Sequence, residues 1–221
     1  MPRFMKSVAA AAGVIALVAC MQKETAQAPA AAKTAAPAAA PAGPPPQIPA
    51  ELEPVRAALD KYKDPVVAIR DGYFSSLACI DFPGGMSEGG GAAGGMTMNY
   101  KPGAMGVHFI NTANIGPKLD PAKPQVLLYE WAGDSLRLTG AEWFAPVAVS
   151  PKAPTIFGKT LEGPMEGHAP ILPAELHHWD LHVWLWKENP NGLMHPTNSA
   201  VKCPPGPYTF QDHPPKMVHM N

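Results

Sequence analysis

Apolar and polar residues alternate along three blocks of this chain. The blocks are "GVHFIN" (106–111), "QVLLYEWAGDSLRLTGAEWF" (125–144) and "HHWDLHVWLW" (177–186). A period of two belongs to a β-strand whose two faces differ. The second block carries Gly133 and Asp134 between its halves, which makes it a hairpin. In the third, odd positions give His177, Trp179, Leu181, Val183 and Leu185, a face for a core. Even positions give His178, Asp180, His182, Trp184 and Trp186, a polar and aromatic face. "NPNG" then ends the run as a turn. A helix here would set His178 and His182 at i and i+4, as in zinc enzymes with the H-E-x-x-H pattern. Trp179 stands where that pattern needs its glutamate, and such a helix would be apolar all round from Leu181 to Trp186. The strand is the better reading.

Ahead of these blocks the period is helical. Leu52, Val55, Leu59 and Tyr62 share one helix face. Pro65 interrupts and opens a second helical segment, "PVVAIRDGY", which Gly72 ends. "YFSSLACI" reads as a short strand that delivers Cys79. "PGGMSEGGGAAGGMTMNYKPGAMG" is a Gly-rich loop without the strand and helix context of a phosphate-binding motif. Lone strands cannot bury a face by themselves. The expected fold is therefore α+β: an N-terminal helix or helices packed on a mainly antiparallel sheet, with a partial barrel as its curled form.

The first fifty residues are of another kind. Arg3 and Lys6 precede an apolar run from Val8 to Ala19, the layout of a secretory signal. The run is shorter than the roughly 20 residues of a membrane-spanning helix. "LVAC", residues 17–20, resembles the lipobox of bacterial lipoproteins. That resemblance implies a lipid on Cys20 and a membrane as partner. Met21 is not the aspartate of inner-membrane retention, so the expected location is the outer membrane, facing the periplasm. Residues 20–50 are the lipidated cysteine and an Ala/Pro-rich tether, because repeated proline breaks any alanine helix. The expected plan is a signal peptide over 1–19, the tether over 20–50 and one globular domain over 51–221.

Net charge is −1 and no basic block is present, which excludes a nucleic-acid partner. Cys79 and Cys203 remain once Cys20 carries lipid, and an exported pair is expected to form a disulfide. A metal-bound pair and two free thiols are the alternatives. No G-x-S-x-G motif and no cysteine free for catalysis is present, against a serine or cysteine hydrolase.

Three polar residues occupy apolar-looking strand positions: His108 beside Ile110, Glu142 beside Leu138 and Phe144, and His182 among tryptophans. A buried carboxylate must be paired, hydrogen-bonded or metal-bound. If the strands are neighbours, His108, Glu142 and His182 make a first shell for Zn, Fe, Mn or Cu, with His178 or Glu130 as a further ligand. The plainer alternative has each histidine donating to a backbone carbonyl and Glu142 paired with Lys or Arg. Trp184 and Trp186 beside His182 suggest a small-ligand pocket under the Gly-rich loop. Methionine also accompanies histidine: Met165 with His168, Met194 with His195, and Met217, His219 and Met220 at the end, with Met86, Met96 and Met98 in the loop. Thioether with imidazole suits copper.

The run "AMGVHFIN", "LLYE", "LTGAEWF" and "DLHVWLWKENPNG", followed by a late cysteine, is similar to an uncharacterised family of exported bacterial proteins. The similarity covers about residues 52 to 203. It implies the same domain limits and matches Cys79 and Cys203 to that family's two cysteines, and it implies no activity. The functional readings are a tethered module that binds a small ligand, a metal-dependent enzyme with a His/Glu/His site, a copper-handling periplasmic protein, and a structural envelope protein.

Overall fold

The computed structural model describes residues 46–87 and 99–220. The expected signal peptide, Cys20, most of the tether, and the centre of the Gly-rich loop with Met96 and Met98 lie outside the described residues. The rest belongs to one compact unit within 36–221.

The helical spacing at the N-terminus is used as the sequence implies. Residues 50–63 form one helical stretch with α1 (Glu53–Leu59) at its centre, and Leu52, Val55, Leu59 and Tyr62 are all buried. Pro65 opens α2 (Pro65–Arg70), where a missing N–H costs nothing. The Asp64 carboxylate caps it, accepting from the Val66 N–H at 2.9 Å. Gly72 ends it with φ of 95°.

The sheet-forming strands are β1 (Phe74–Phe82), β4 (Gly103–Ile110), β5 (Val126–Ala132), β6 (Ser135–Pro146), β9 (Glu162–Met165), β10 (His178–Val183) and β11 (Thr209–Gln211). β2 (Gly85–Met86) with β3 (Asn99–Tyr100), and β7 (Thr155–Ile156) with β8 (Lys159–Thr160), form two small ribbons. The seven strands lie in the order β11-β1-β4-β5-β6-β10-β9 and curl into a half-barrel. Every pairing is antiparallel except that of β1 with β11. The α+β expectation therefore holds, as does the hairpin, with its turn at Gly133 and Asp134 between β5 and β6.

Both sheet faces are covered. Val107, Phe109, Leu127, Tyr129, Trp143, Trp179, Leu181 and Val183 pack with the helices, and the Tyr129 hydroxyl donates to the Tyr62 carbonyl at 2.6 Å. The opposite face carries Val126, Leu128, Phe144 and the polar residues of β10. The C-terminal segment straps that side of the sheet. Thr209–Gln211 pairs with β1 at one edge, while Met217 bridges Met165 of β9 at the other. Between them the Glu166 N–H donates to the Lys216 carbonyl at 3.0 Å.

Two details position the site. Gly106 has φ of 82°, and a Cβ there would lie 2.3 Å from the Tyr129 carbonyl oxygen, so only glycine fits two residues before His108. The register slips beside it, where Ile80 pairs with Gly106 but Asp81 with Ala104. The disulfide Cys79–Cys203 is formed, with Cα atoms 5.6 Å apart, and it joins β1 to the segment that leads into the strap.

The strand expected over the third block is shorter than its alternation. β10 stops at Val183, after which the Trp184 N–H donates to Leu193 and the Trp186 N–H to Thr139. The face assignment therefore fails at Trp186. Its indole donates to Asp60 Oδ1 at 3.0 Å, on the helix side of the sheet.

Candidate metal centre

Strand order brings together the three residues that the alternation singles out. His182 on β10 lies directly opposite Glu142 on β6. β5 separates β6 from β4, yet the curl brings His108 to the same carboxylate. Glu142 Oε2 lies 3.6 Å from His182 Nε2 and 3.8 Å from His108 Nε2. The edge of a tetrahedron built on metal–ligand bonds of about 2.0–2.1 Å is about 3.3 Å. The three side chains thus stand slightly open around one candidate ion position, with one ligand atom from each within 4.8 Å of the others. All three are buried.

A second group adjoins the first along β10. His178, Asp180 and the loop residue His168 also place one ligand atom each within 4.8 Å of one another. His178 Nε2 lies 3.7 Å from Asp180 Oδ2, and His168 Nδ1 lies 3.3 Å from Asp212 Oδ2 on the C-terminal strap. Sequence reasoning missed Asp212, and it weighed His168 only as a partner of Met165. Both residues lie in irregular segments where no periodicity selects them. Their meeting depends on the strap.

Both groups line one cavity of about 110 Å³, walled otherwise by apolar side chains such as Ile80, Met105, Ile110, Val126, Phe144 and Leu172. Ile110 and Ile171 also line a neighbouring groove with Phe74, Tyr208 and Phe210, so the apolar wall continues to the surface. Seven buried side-chain polar atoms among the described residues have no hydrogen-bond partner in the protein. They are His108 Nδ1, His168 Nε2, His178 Nε2, Asp180 Oδ1, both ring nitrogens of His182, and Asp212 Oδ2. Every one belongs to a residue of this cavity. An unsatisfied buried polar group costs about 1–3 kcal/mol, so such a concentration calls for a ligand, an ion or ordered water.

The electrostatics suit cation binding. Burial, helped by the nearby His182, lowers His108 to about 3, with small opposing effects from the Gly106 carbonyl and Asp180. Burial also lowers His182 to about 4, although the Asp180 charge works the other way. Both imidazoles are neutral at pH 7, the form that binds metal. Burial pushes the Glu142 carboxyl well above its usual range, and the Asp180 charge adds to that. For Asp180 burial acts upward, but His178 and the surrounding histidines outweigh it and hold the carboxyl below its ordinary value. The surroundings thus push the two carboxyls of one cavity in opposite directions.

Glu162 on β9 faces Asp180 across the strand pair, and burial together with that charge raises it to about 8. Its folded value exceeds its unfolded one. Its contribution is therefore fully present below about pH 4.5 and is lost as pH rises through 8. Glu162→Gln is expected to stabilise the domain by about 2 kcal/mol at pH 9, after discounting the full shift for partial exposure, with no change near pH 4. Urea unfolding at the two pH values checks this, and equal curves at pH 9 would contradict it.

Other expectations fall elsewhere. Glu130 is not a ligand of either group. Lys187 Nζ donates to both its oxygens, at 2.9 and 2.6 Å, and Arg137 stands 3.6 Å away. His178 joins the second group, not the first. Trp184 and Trp186 do not line the cavity: Trp184 is fully buried against Val126, Leu128 and Phe144, with its indole donating to the His195 carbonyl at 2.7 Å. Of the methionines expected beside histidines, Met165 and Met217 are buried, with Tyr100 Oη 3.9 Å from the Met165 sulfur, and Met194 packs against the core. His195 is engaged by Thr197 and by the Asn99 carbonyl. Met165, Met217 and Met194 serve packing, a common use of methionine, whereas Met86 and Met220 are exposed.

No protein-family model, curated protein or solved structure matches the chain.

Proposed function

We propose that this protein is a lipid-anchored envelope metalloprotein. Its domain holds a divalent transition-metal ion on His108, Glu142 and His182 and offers it to a small, mostly apolar ligand in the adjoining cavity. The observation that carries this reading is the convergence of two neutral imidazoles and one carboxyl, from three different strands, on one point in a buried apolar cavity. Three protein ligands leave coordination positions open. An ion held so acts as a Lewis acid on a carbonyl or lowers the pKa of a bound water, which makes a metal-dependent enzyme the activity class the site suits best. The apolar wall admits the carbon skeleton of the ligand, and the ion takes its polar end.

Expected behaviour is uptake of Co²⁺ by the metal-free protein with a visible d–d spectrum, lost in His108→Ala. A flat spectrum in the wild type would count against the site. The anchor rests on the "LVAC" stretch after Arg3 and Lys6 and on the Ala/Pro tether, and the disulfide fits an oxidising compartment. Cys20→Ala is expected to abolish palmitate labelling and release the protein from membranes. Persisting label would remove the anchor from the account.

A further inference from the structure

We infer that His168, His178 and Asp180 form a second metal position beside the first, so that the cavity houses a two-metal centre in which Asp212 orients His168. The pairing rests on the first group being a metal site, but the ligand set of the second position is independent of it.

Each group has the same composition of two imidazoles and one carboxylate. In the second group both histidines are oriented in the manner of metal ligands. A ligating imidazole uses one nitrogen for the ion and directs the other at a carboxylate or a backbone carbonyl. His168 Nδ1 lies 3.3 Å from the Asp212 carboxylate, and His178 Nδ1 lies 3.2 Å from the Leu176 carbonyl. In both rings the remaining Nε2 is buried and makes no hydrogen bond, and that of His178 stands 3.7 Å from the Asp180 carboxylate. His178 is 1% exposed and Asp180 3%, so neither can meet its needs from bulk water. The plain alternative, each histidine bonded to the backbone, accounts for one nitrogen of His178 and leaves the other 3.7 Å from Asp180 Oδ2, too long for a hydrogen bond.

Strand geometry sets the two positions side by side. Residues two apart on one strand face lie about 7 Å apart, so Asp180 stands between His178 and His182 on the same face. Asp180 Oδ2 is turned to His178, while Oδ1 is buried and unpartnered. The second oxygen is therefore available to the neighbouring position, as in carboxylates shared by two ions. Three carboxylates, Glu142, Asp180 and Asp212, offset most of the charge of two divalent ions. A mixed nitrogen and oxygen set suits Zn²⁺, Fe²⁺, Mn²⁺ or Co²⁺. Two ions clamp a substrate oxygen from both sides, which a single ion cannot do.

The test is a titration of the full-length, untagged, metal-free chain with Co²⁺ and with Zn²⁺, read as bound equivalents and as Co²⁺ EPR. Wild type should bind two equivalents, and the second Co²⁺ should alter the EPR signal of the first through spin coupling. His168→Ala, a change in a loop, should retain one equivalent with an uncoupled signal. His182→Ala should lose the first position. Asp212→Asn should weaken only the second equivalent, by about 10- to 100-fold, as expected for a positioning residue. One equivalent in wild type that survives His168→Ala would overturn the second position and leave the first intact. One equivalent lost in both His168→Ala and His182→Ala would mean a single site made from both groups, and would also overturn it. A folded wild type that binds neither ion would overturn both readings.

Discussion

Removing the Cys79–Cys203 disulfide is expected to cost the domain about 5 kcal/mol. The bridge links residues 124 apart in sequence, so it closes most of the domain into a single loop. The chain-entropy relation puts the stabilisation by such a loop near 5 kcal/mol. A domain of this size is stable by about 5–15 kcal/mol, so the loss is a third or more of the total. Its structural consequence is local as well as global. Cys79 is buried on β1 and pairs in register with Thr209 of β11, while Cys203 packs against the cores on both sheet faces. Cutting the bond loosens the segment that carries Asp212 to His168. Urea unfolding of the oxidised wild type and of the Cys79→Ser, Cys203→Ser double variant should show the midpoint falling sharply and the slope rising, because the unfolded chain without the crosslink exposes more surface. A difference under about 1 kcal/mol would show that the bridge is incidental.

His182→Leu is expected to stabilise the metal-free protein by about 1–3 kcal/mol while abolishing its stabilisation by metal. Both ring nitrogens of His182 are buried without a hydrogen bond, with Nε2 3.6 Å from the Glu142 carboxyl and an apolar wall around them. A leucine of similar size removes two unsatisfied polar atoms and leaves the packing nearly filled. A residue that weakens the fold is kept when it serves a site. In wild type, by contrast, Zn²⁺ at a hundred times its dissociation constant should add about 2.7 kcal/mol, because the ion binds only the folded state. For a domain of this size that corresponds to a rise in Tm of about 5–10 °C. Thermal unfolding with and without Zn²⁺ reads both effects. A destabilised His182→Leu, with no metal effect in wild type, would mean that the imidazole is a structural part of the core.

Part of this site was legible in the sequence. Alternation identified β4, the hairpin and β10, and the misfit of His108, Glu142 and His182 with their apolar neighbours marked them as one group. Their convergence needs more than alternation: β10 pairs with β6 after a long connection, and the sheet must curl to bring β4 past β5 to the same carboxylate. The same alternation could have separated His178 from that group. Four residues along a strand span about 13 Å, too far for His178 and His182 to share one ion. His168 and Asp212 left no such signal, because they sit in irregular segments and meet only when the C-terminal strap crosses between the sheet edges. Trp186 left the expected face for a related reason. Alternation predicts a face only while the strand lasts, and β10 ends at Val183.

Elemental analysis of the untagged, full-length protein, purified without chelator from the cell that makes it, tests the central claim most directly. The account predicts at least one equivalent of zinc, iron, manganese or cobalt per chain, with the first equivalent lost in both His108→Ala and His182→Ala. A protein with its disulfide formed and its circular dichroism unchanged, yet free of metal and unable to take up any of these ions, would contradict it.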